Sequence, residues 1–162
     1  MSRMNRINVE VKRARELEWV QIYERAEDLM YVEMIGPEDT LYANCRIGLY
    51  YQFSTEHPFK PPRINFHPPL LHPNIDHKGY LWIDSITGSQ YCPADNLTSN
   101  LLNILSLLYE PFICEDFKEM SDKGKEEDDN SFVDECINTE ALRLWRTDPE
   151  QFKQLLYAST FL

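Results

Sequence analysis

The stretch "LLHPNIDHKGYLWIDS", Leu70 to Ser85, decides how the rest of the chain is read. It contains His72-Pro73-Asn74 and runs on to Trp82 and Asp84. Pro73 restricts the backbone before Asn74 and helps hold an irregular segment in one shape. From Phe66 the chain loses periodicity for about thirty residues, which is long for a connection without structure of its own and marks a functional candidate.

Upstream of this stretch the pattern is extended. "WVQIYER" and "DLMYVEMI" flank the short link Ala26-Glu27, and "CRIGLYYQF" alternates Cys45, Ile47, Leu49, Tyr51 and Phe53 on one face. "RINFH" follows the proline-rich "HPFKPP" as a fourth strand. Sequential strands joined by short links predict an antiparallel meander with one face covered. Before them, Ile7, Val11, Ala14 and Leu17 recur at helical spacing and predict an amphipathic helix from about Arg3 to Glu16.

Downstream, "NLTSNLLNILSLLY" is apolar nearly all round a helix and predicts a buried central helix. Ile137, Ala141, Leu144 and Trp145 predict another. Asp148-Pro149-Glu150-Gln151 signals a last one, with an N-cap carboxylate, proline in the first turn and glutamine at the capping-box position.

With 162 residues, 43% of them hydrophobic and 27% charged, the chain has the size and composition of a single soluble domain. No run of membrane-spanning length or N-terminal signal pattern is present, which leads to the expectation of an intracellular protein, cytoplasmic or nuclear. Cys45, Cys92, Cys114 and Cys136 are scattered and read as reduced thiols. They form no zinc pattern with His57, His67, His72 and His77, so no metal is expected. A net charge of −11 argues against nucleic acid or an anionic membrane as partner and favours basic protein surfaces. Much of that charge lies between Glu115 and Glu135, where ten carboxylates face three lysines, the composition of a solvated insertion. Arg3, Arg6, Lys12, Arg13 and Arg15 make the N-terminus basic.

The order of elements, together with "GPEDTLY", "HPFKPPRINF", "HPNIDHKG", "SQYCPA" and "LLYEP" in their places along the chain, resembles the ubiquitin-conjugating (E2) enzyme superfamily. The resemblance implies an α+β, UBC-like fold: an N-terminal helix, a four-stranded antiparallel meander, the His-Pro-Asn flap, a buried central helix and two C-terminal helices. Residues 1–162 would then be one domain with an acidic insertion at about 115–135. In that family the His-Pro-Asn group precedes the cysteine that accepts ubiquitin as a thioester, and an ungapped alignment puts Trp82 at that position. An indole offers only an N–H donor and cannot form a thioester.

By the same resemblance, His72 braces the flap, Asn74 organises it or steadies an oxyanion, and Asp84 lies where relatives help to receive the incoming lysine. Cys92, in the loop before the central helix, is the alternative nucleophile. The surface that docks ligases (E3) or the activating enzyme (E1) would include Arg6, Phe59, Pro93 and Ala94. Phe59 either anchors a contact from its loop tip or folds under the sheet. The resulting expectation is a catalytically inactive E2-like protein without a cofactor. Its partner would be ubiquitin or a ubiquitin-like protein, an active E2, or an E3 ligase. The alternatives are a divergent conjugating enzyme that uses Cys92 and an interaction scaffold unrelated to ubiquitin.

Overall fold

Helix α1 (Arg3–Ala14) starts at Ser2, whose side chain accepts a hydrogen bond from the Asn5 N–H, and buries Ile7, Glu10, Val11 and Ala14. It ends two residues before the expected Glu16. There the Glu16 and Leu17 N–H groups bond back to Arg13 and Ala14, the tighter spacing with which helices close. The computed structural model describes residues 1–113 and 137–160, so the expected insertion at 115–135, Cys114 and Cys136 lie outside the described residues.

Strands β1 (Val20–Ala26), β2 (Leu29–Ile35), β3 (Arg46–Gln52) and β4 (Arg63–Phe66) form an antiparallel sheet in sequence order. Side chains alternate between its faces, and the register places Ile22, Val32, Leu49 and Phe66 in one buried row. Cys45, Ile47, Leu49, Tyr51 and Phe53 all point inward, as their alternation predicts. Arg3 fastens α1 to the β1–β2 turn through Asp28 at 2.8 Å and to the Ser54 carbonyl at 3.0 Å.

After the irregular segment, which holds one helical turn α2 (Asp84–Thr87), α3 (Leu97–Tyr109) is started by a capping box between Asn96 and Ser99. It buries Leu97, Asn100, Leu101, Ile104, Leu107 and Leu108 in a core shared with α1 and the sheet. The expectation of burial on all sides is corrected here. Asn103 and Ser106 mark a surface face, and Leu102 and Tyr109 beside them are 44% and 50% exposed. The composition of the helix is apolar, but Asn103 and Ser106 fall on one open side, while Asn100 is buried and donates to the Tyr51 hydroxyl.

Helix α4 (Thr139–Thr147) is capped by Asn138, and α5 (Pro149–Thr160) by Asp148, which accepts from the Gln151 N–H at 3.2 Å. Buried Tyr42 lies against Trp145 of α4 and Phe152 of α5, with ring centroids 5.7 and 5.9 Å away.

One carboxylate is buried at a junction of elements. Glu10 is 5% exposed; one oxygen accepts the Leu97 N–H at the start of α3 at 2.9 Å, and the other meets His57 Nε2 and Arg6 Nε. Removing it strands a buried N–H and a buried imidazole. Glu10→Ala should therefore cost roughly 3 kcal/mol in urea denaturation, against less than about 0.5 kcal/mol for exposed Glu16→Ala.

Candidate functional site

The segment from His72 to Trp82 carries little regular structure, so its backbone must find partners in other ways. His72 supplies two of them. Its Nε2–H donates to the Leu107 carbonyl of α3 at 2.7 Å, while Nδ1 accepts the Asn74 N–H at 3.0 Å. These contacts define a neutral ring protonated on Nε2. Burial lowers its pKa to about 4, outweighing the opposite effect of the bond to Leu107. The ring also stacks beside Tyr42 and meets Trp145 edge-on, at 6.0 and 5.7 Å between centroids.

Asn74 is fully buried, and its amide pairs with the backbone of one residue beyond α3. Nδ2 donates to the Phe112 carbonyl at 2.8 Å, and Oδ1 accepts the Phe112 N–H at 2.9 Å. Pro73 accepts the Asn138 N–H at 3.0 Å, which brings the start of α4 onto the same segment.

The next turn is organised by Asp76. Oδ1 accepts the N–H groups of Lys78 and Tyr80, both at 2.9 Å, and Oδ2 accepts the indole N–H of Trp82 at 2.8 Å. Burial pushes this carboxyl up, but the bonds from Trp82, Tyr80, Lys78 and Gly79 prevail and hold it below the usual carboxylate value. Gly79 adopts φ 94°, and its carbonyl receives the Phe66 N–H at 2.7 Å. A Cβ there would lie 2.2 Å from the Phe66 oxygen, so only glycine fits. Trp82 N–H bonds to the Asn74 carbonyl at 3.0 Å, closing the loop on itself.

The Trp82 ring is 44% exposed and separates two hollows, of about 260 Å³ beside Pro62 and Tyr80 and about 140 Å³ beside Asp84 and Ser89. Asp84 accepts from the Ser89 N–H at 2.8 Å and its hydroxyl at 2.9 Å. Cys92 is exposed and lines neither hollow, and among the described residues its thiol makes no hydrogen bond. A further hollow, of about 550 Å³, lies between α2 and the end of α3. Among the described residues no cluster of three or more His, Cys, Asp or Glu could hold a metal ion.

The residues expected at a docking surface are brought together. Arg6 Nη2 donates to the Pro93 carbonyl at 2.6 Å, and the Tyr91 hydroxyl donates to the Pro58 carbonyl at 2.9 Å, joining the two loops. Phe59 points outward at 76% exposure, and Ala94 is exposed next to Pro93.

Two residues of this framework escaped the sequence reading. Asp76 had a signal in Asp-His-Lys-Gly, a side chain able to cap a turn three residues before a glycine. Glu10 had one in its spacing, on the same helix face as Ile7, Val11 and Ala14.

A meander covered by α1 and α3, with a buried His-Pro-Asn flap pinned to the end of α3, defines an α+β domain of the UBC class. The sequence profile of the ubiquitin-conjugating enzymes matches residues 6–160, and the chain belongs to that family. It is 31% identical over 121 residues to ubiquitin-conjugating enzyme E2-20 kDa of Schizosaccharomyces pombe, an alignment that covers 75% of this chain and 57% of that relative.

The His72 geometry has a pH consequence. Its folded pKa, about 4, lies below the ordinary 6.5, so its contribution is complete above pH 6.5 and is lost as pH falls toward 4. The loss attributable to this ring is about 3 kcal/mol. Nitrogen NMR should find His72 still neutral, with the proton on Nε2, at about pH 5, while the urea midpoint of the domain declines over the same range.

Proposed function

We propose that this protein is a non-catalytic member of its family, which binds components of ubiquitin or ubiquitin-like conjugation in the cytoplasm or nucleus and modulates transfer without carrying the modifier. Trp82 carries this reading. It stands where the family alignment requires a thiol, and its indole has no group that could hold and release an acyl chain. The surroundings agree with a structural use of the flap: the Trp82 N–H is bonded to Asp76, and both ends of the Asn74 amide are bonded to Phe112.

A ligase is the partner best supported among ubiquitin, an active E2 and an E3. Phe59 is an exposed aromatic of the kind that anchors interfaces, and the Arg6–Pro93 bond holds the helix and the second loop beside it. The exposure of Cys92 favours a second reading, in which this thiol replaces the missing nucleophile.

A non-reducing gel of the protein with activating enzyme, ATP and ubiquitin separates the two. The expected result is no thiol-sensitive adduct. A reducible band that disappears on Cys92→Ser would replace the non-catalytic reading with the enzymatic one.

A further inference from the structure

The loop that carries Phe59 is fastened to α1 by a titratable side chain with no part in the flap. His57 is 4% exposed, and its Nε2 meets a carboxylate oxygen of Glu10, 47 residues away in sequence and 5% exposed. The ring stands edge-on to Phe53, with 4.9 Å between centroids. Its other nitrogen, Nδ1, is buried and has no hydrogen-bond partner among the described residues. A buried polar atom without a partner calls for an explanation. The neutral ring protonated on Nε2 supplies one: the N–H donates to Glu10, and Nδ1 carries only a lone pair. Buried acceptors go unpaired more often than buried donors.

A second proton turns Nδ1 into a donor, and no acceptor among the described residues stands beside it. The added charge also gains little from Glu10, whose carboxylate already accepts the Leu97 N–H at 2.9 Å and faces the Arg6 guanidinium at 3.4 Å. The neighbouring elements offer no better partner. From β3 comes Tyr51, whose hydroxyl accepts from Asn100 at 2.8 Å, and from the loop before α3 come Tyr91 and Asp95. Burial pushes both phenols up, so they stay uncharged near neutral pH. The Tyr91 hydroxyl is committed to the Pro58 carbonyl, and Asp95 Oδ2 accepts the Cys92 N–H at 3.4 Å. On the loop itself, Glu56 and Lys60 are exposed.

We propose that His57 is a pH-sensitive latch: the neutral ring holds the Phe59 loop to Glu10, and a second proton on Nδ1 releases the loop so that the new N–H reaches water. An imidazole in water takes that proton at about pH 6.5. The open loop binds it more readily than the closed one, so the latch is shut at neutral pH and loosens as pH falls below about 6.5. The loop is shaped by the His57 N–H on the Ser54 carbonyl at 3.0 Å and the Phe59 N–H on the Glu56 carbonyl at 2.7 Å. Meanwhile α1 keeps its separate ties to Leu97 and, through Arg6, to Pro93. Release therefore moves Phe59 relative to Pro93. Its effect on a ligase rests on the docking surface proposed above, whereas the latch does not and is tested on the protein alone.

Nitrogen NMR of the full chain between about pH 7.5 and 5.5 reads the His57 ring, and hydrogen exchange of the amides reads its loop. At the upper end the ring should be neutral, with its proton on Nε2. On acidification it should become doubly protonated, and in the same step the His57 and Phe59 amides should lose at least about tenfold in protection. The Leu107 amide, inside α3, should keep its protection, since the His72 transition toward pH 4 lies below this range. His57→Gln, whose side-chain amide can donate to Glu10 but does not titrate, should hold the loop closed throughout. The proposal is overturned by a ring still neutral at the lower end or already doubly protonated at the upper one. Ring protonation without loss of protection, a loss shared equally by Leu107, or the same loss in His57→Gln overturns it as well. Should His57→Gln not fold, the measurements on the native chain decide alone.

Discussion

The long irregular segment between β4 and α3 can lie against the core only because two side chains replace the backbone partners that a strand or helix would have given it. His72 reaches Leu107 with one ring nitrogen and takes the Asn74 N–H with the other, and Asn74 pairs with both backbone groups of Phe112. A buried polar group without a partner costs about 1–3 kcal/mol, so each of these contacts is worth most through what its loss would expose. Their consequences reach the C-terminal helices. The end of α3 is fixed by them, α4 is drawn in through the Asn138–Pro73 bond, and Tyr42 and Trp145 lie against the His72 ring, with Phe152 packed on both of them.

Much of this could be read before the structure, for a physical reason. Strand alternation, helix spacing and caps are written in neighbouring residues, and α1, the four strands, α3 and α5 all begin or end within a few residues of their local signals. The outward face of α3 was misread because its apolar content concealed the placement of Asn103 and Ser106 on one side. Contacts distant in sequence had no such record. His72 and Leu107 are 35 residues apart, and Glu10 and Leu97 are 87 apart. The direction of Phe59 was likewise undecided by the sequence, since a loop aromatic fits either surface or core, and the structure turns it outward. The pairing of Tyr23 with Tyr31 and of Tyr31 with Tyr50 was likewise hidden, because cross-strand register is a property of the assembled sheet.

The geometry gives Trp82 a structural role of its own. A cysteine there would leave Asp76 Oδ2 without its side-chain donor, whereas the Trp82 indole supplies an N–H at 2.8 Å and so completes the set of bonds around that carboxylate. Under the proposed reading, a position that carries the nucleophile in relatives serves here in the hydrogen bonding that shapes its own loop. Asp84, bonded to Ser89, and Asn74, bonded to Phe112, have similar work in holding turns together.

The most direct measurement of that claim is the carboxyl titration of Asp76 by carbon NMR in the native chain and in Trp82→Phe. In the native chain Asp76 should titrate below the ordinary value of 3.8, because the indole and three backbone N–H groups favour its charged form. Removing the indole N–H should move the titration upward. An Asp76 that titrates identically in both proteins would contradict a structural role for Trp82 in the flap.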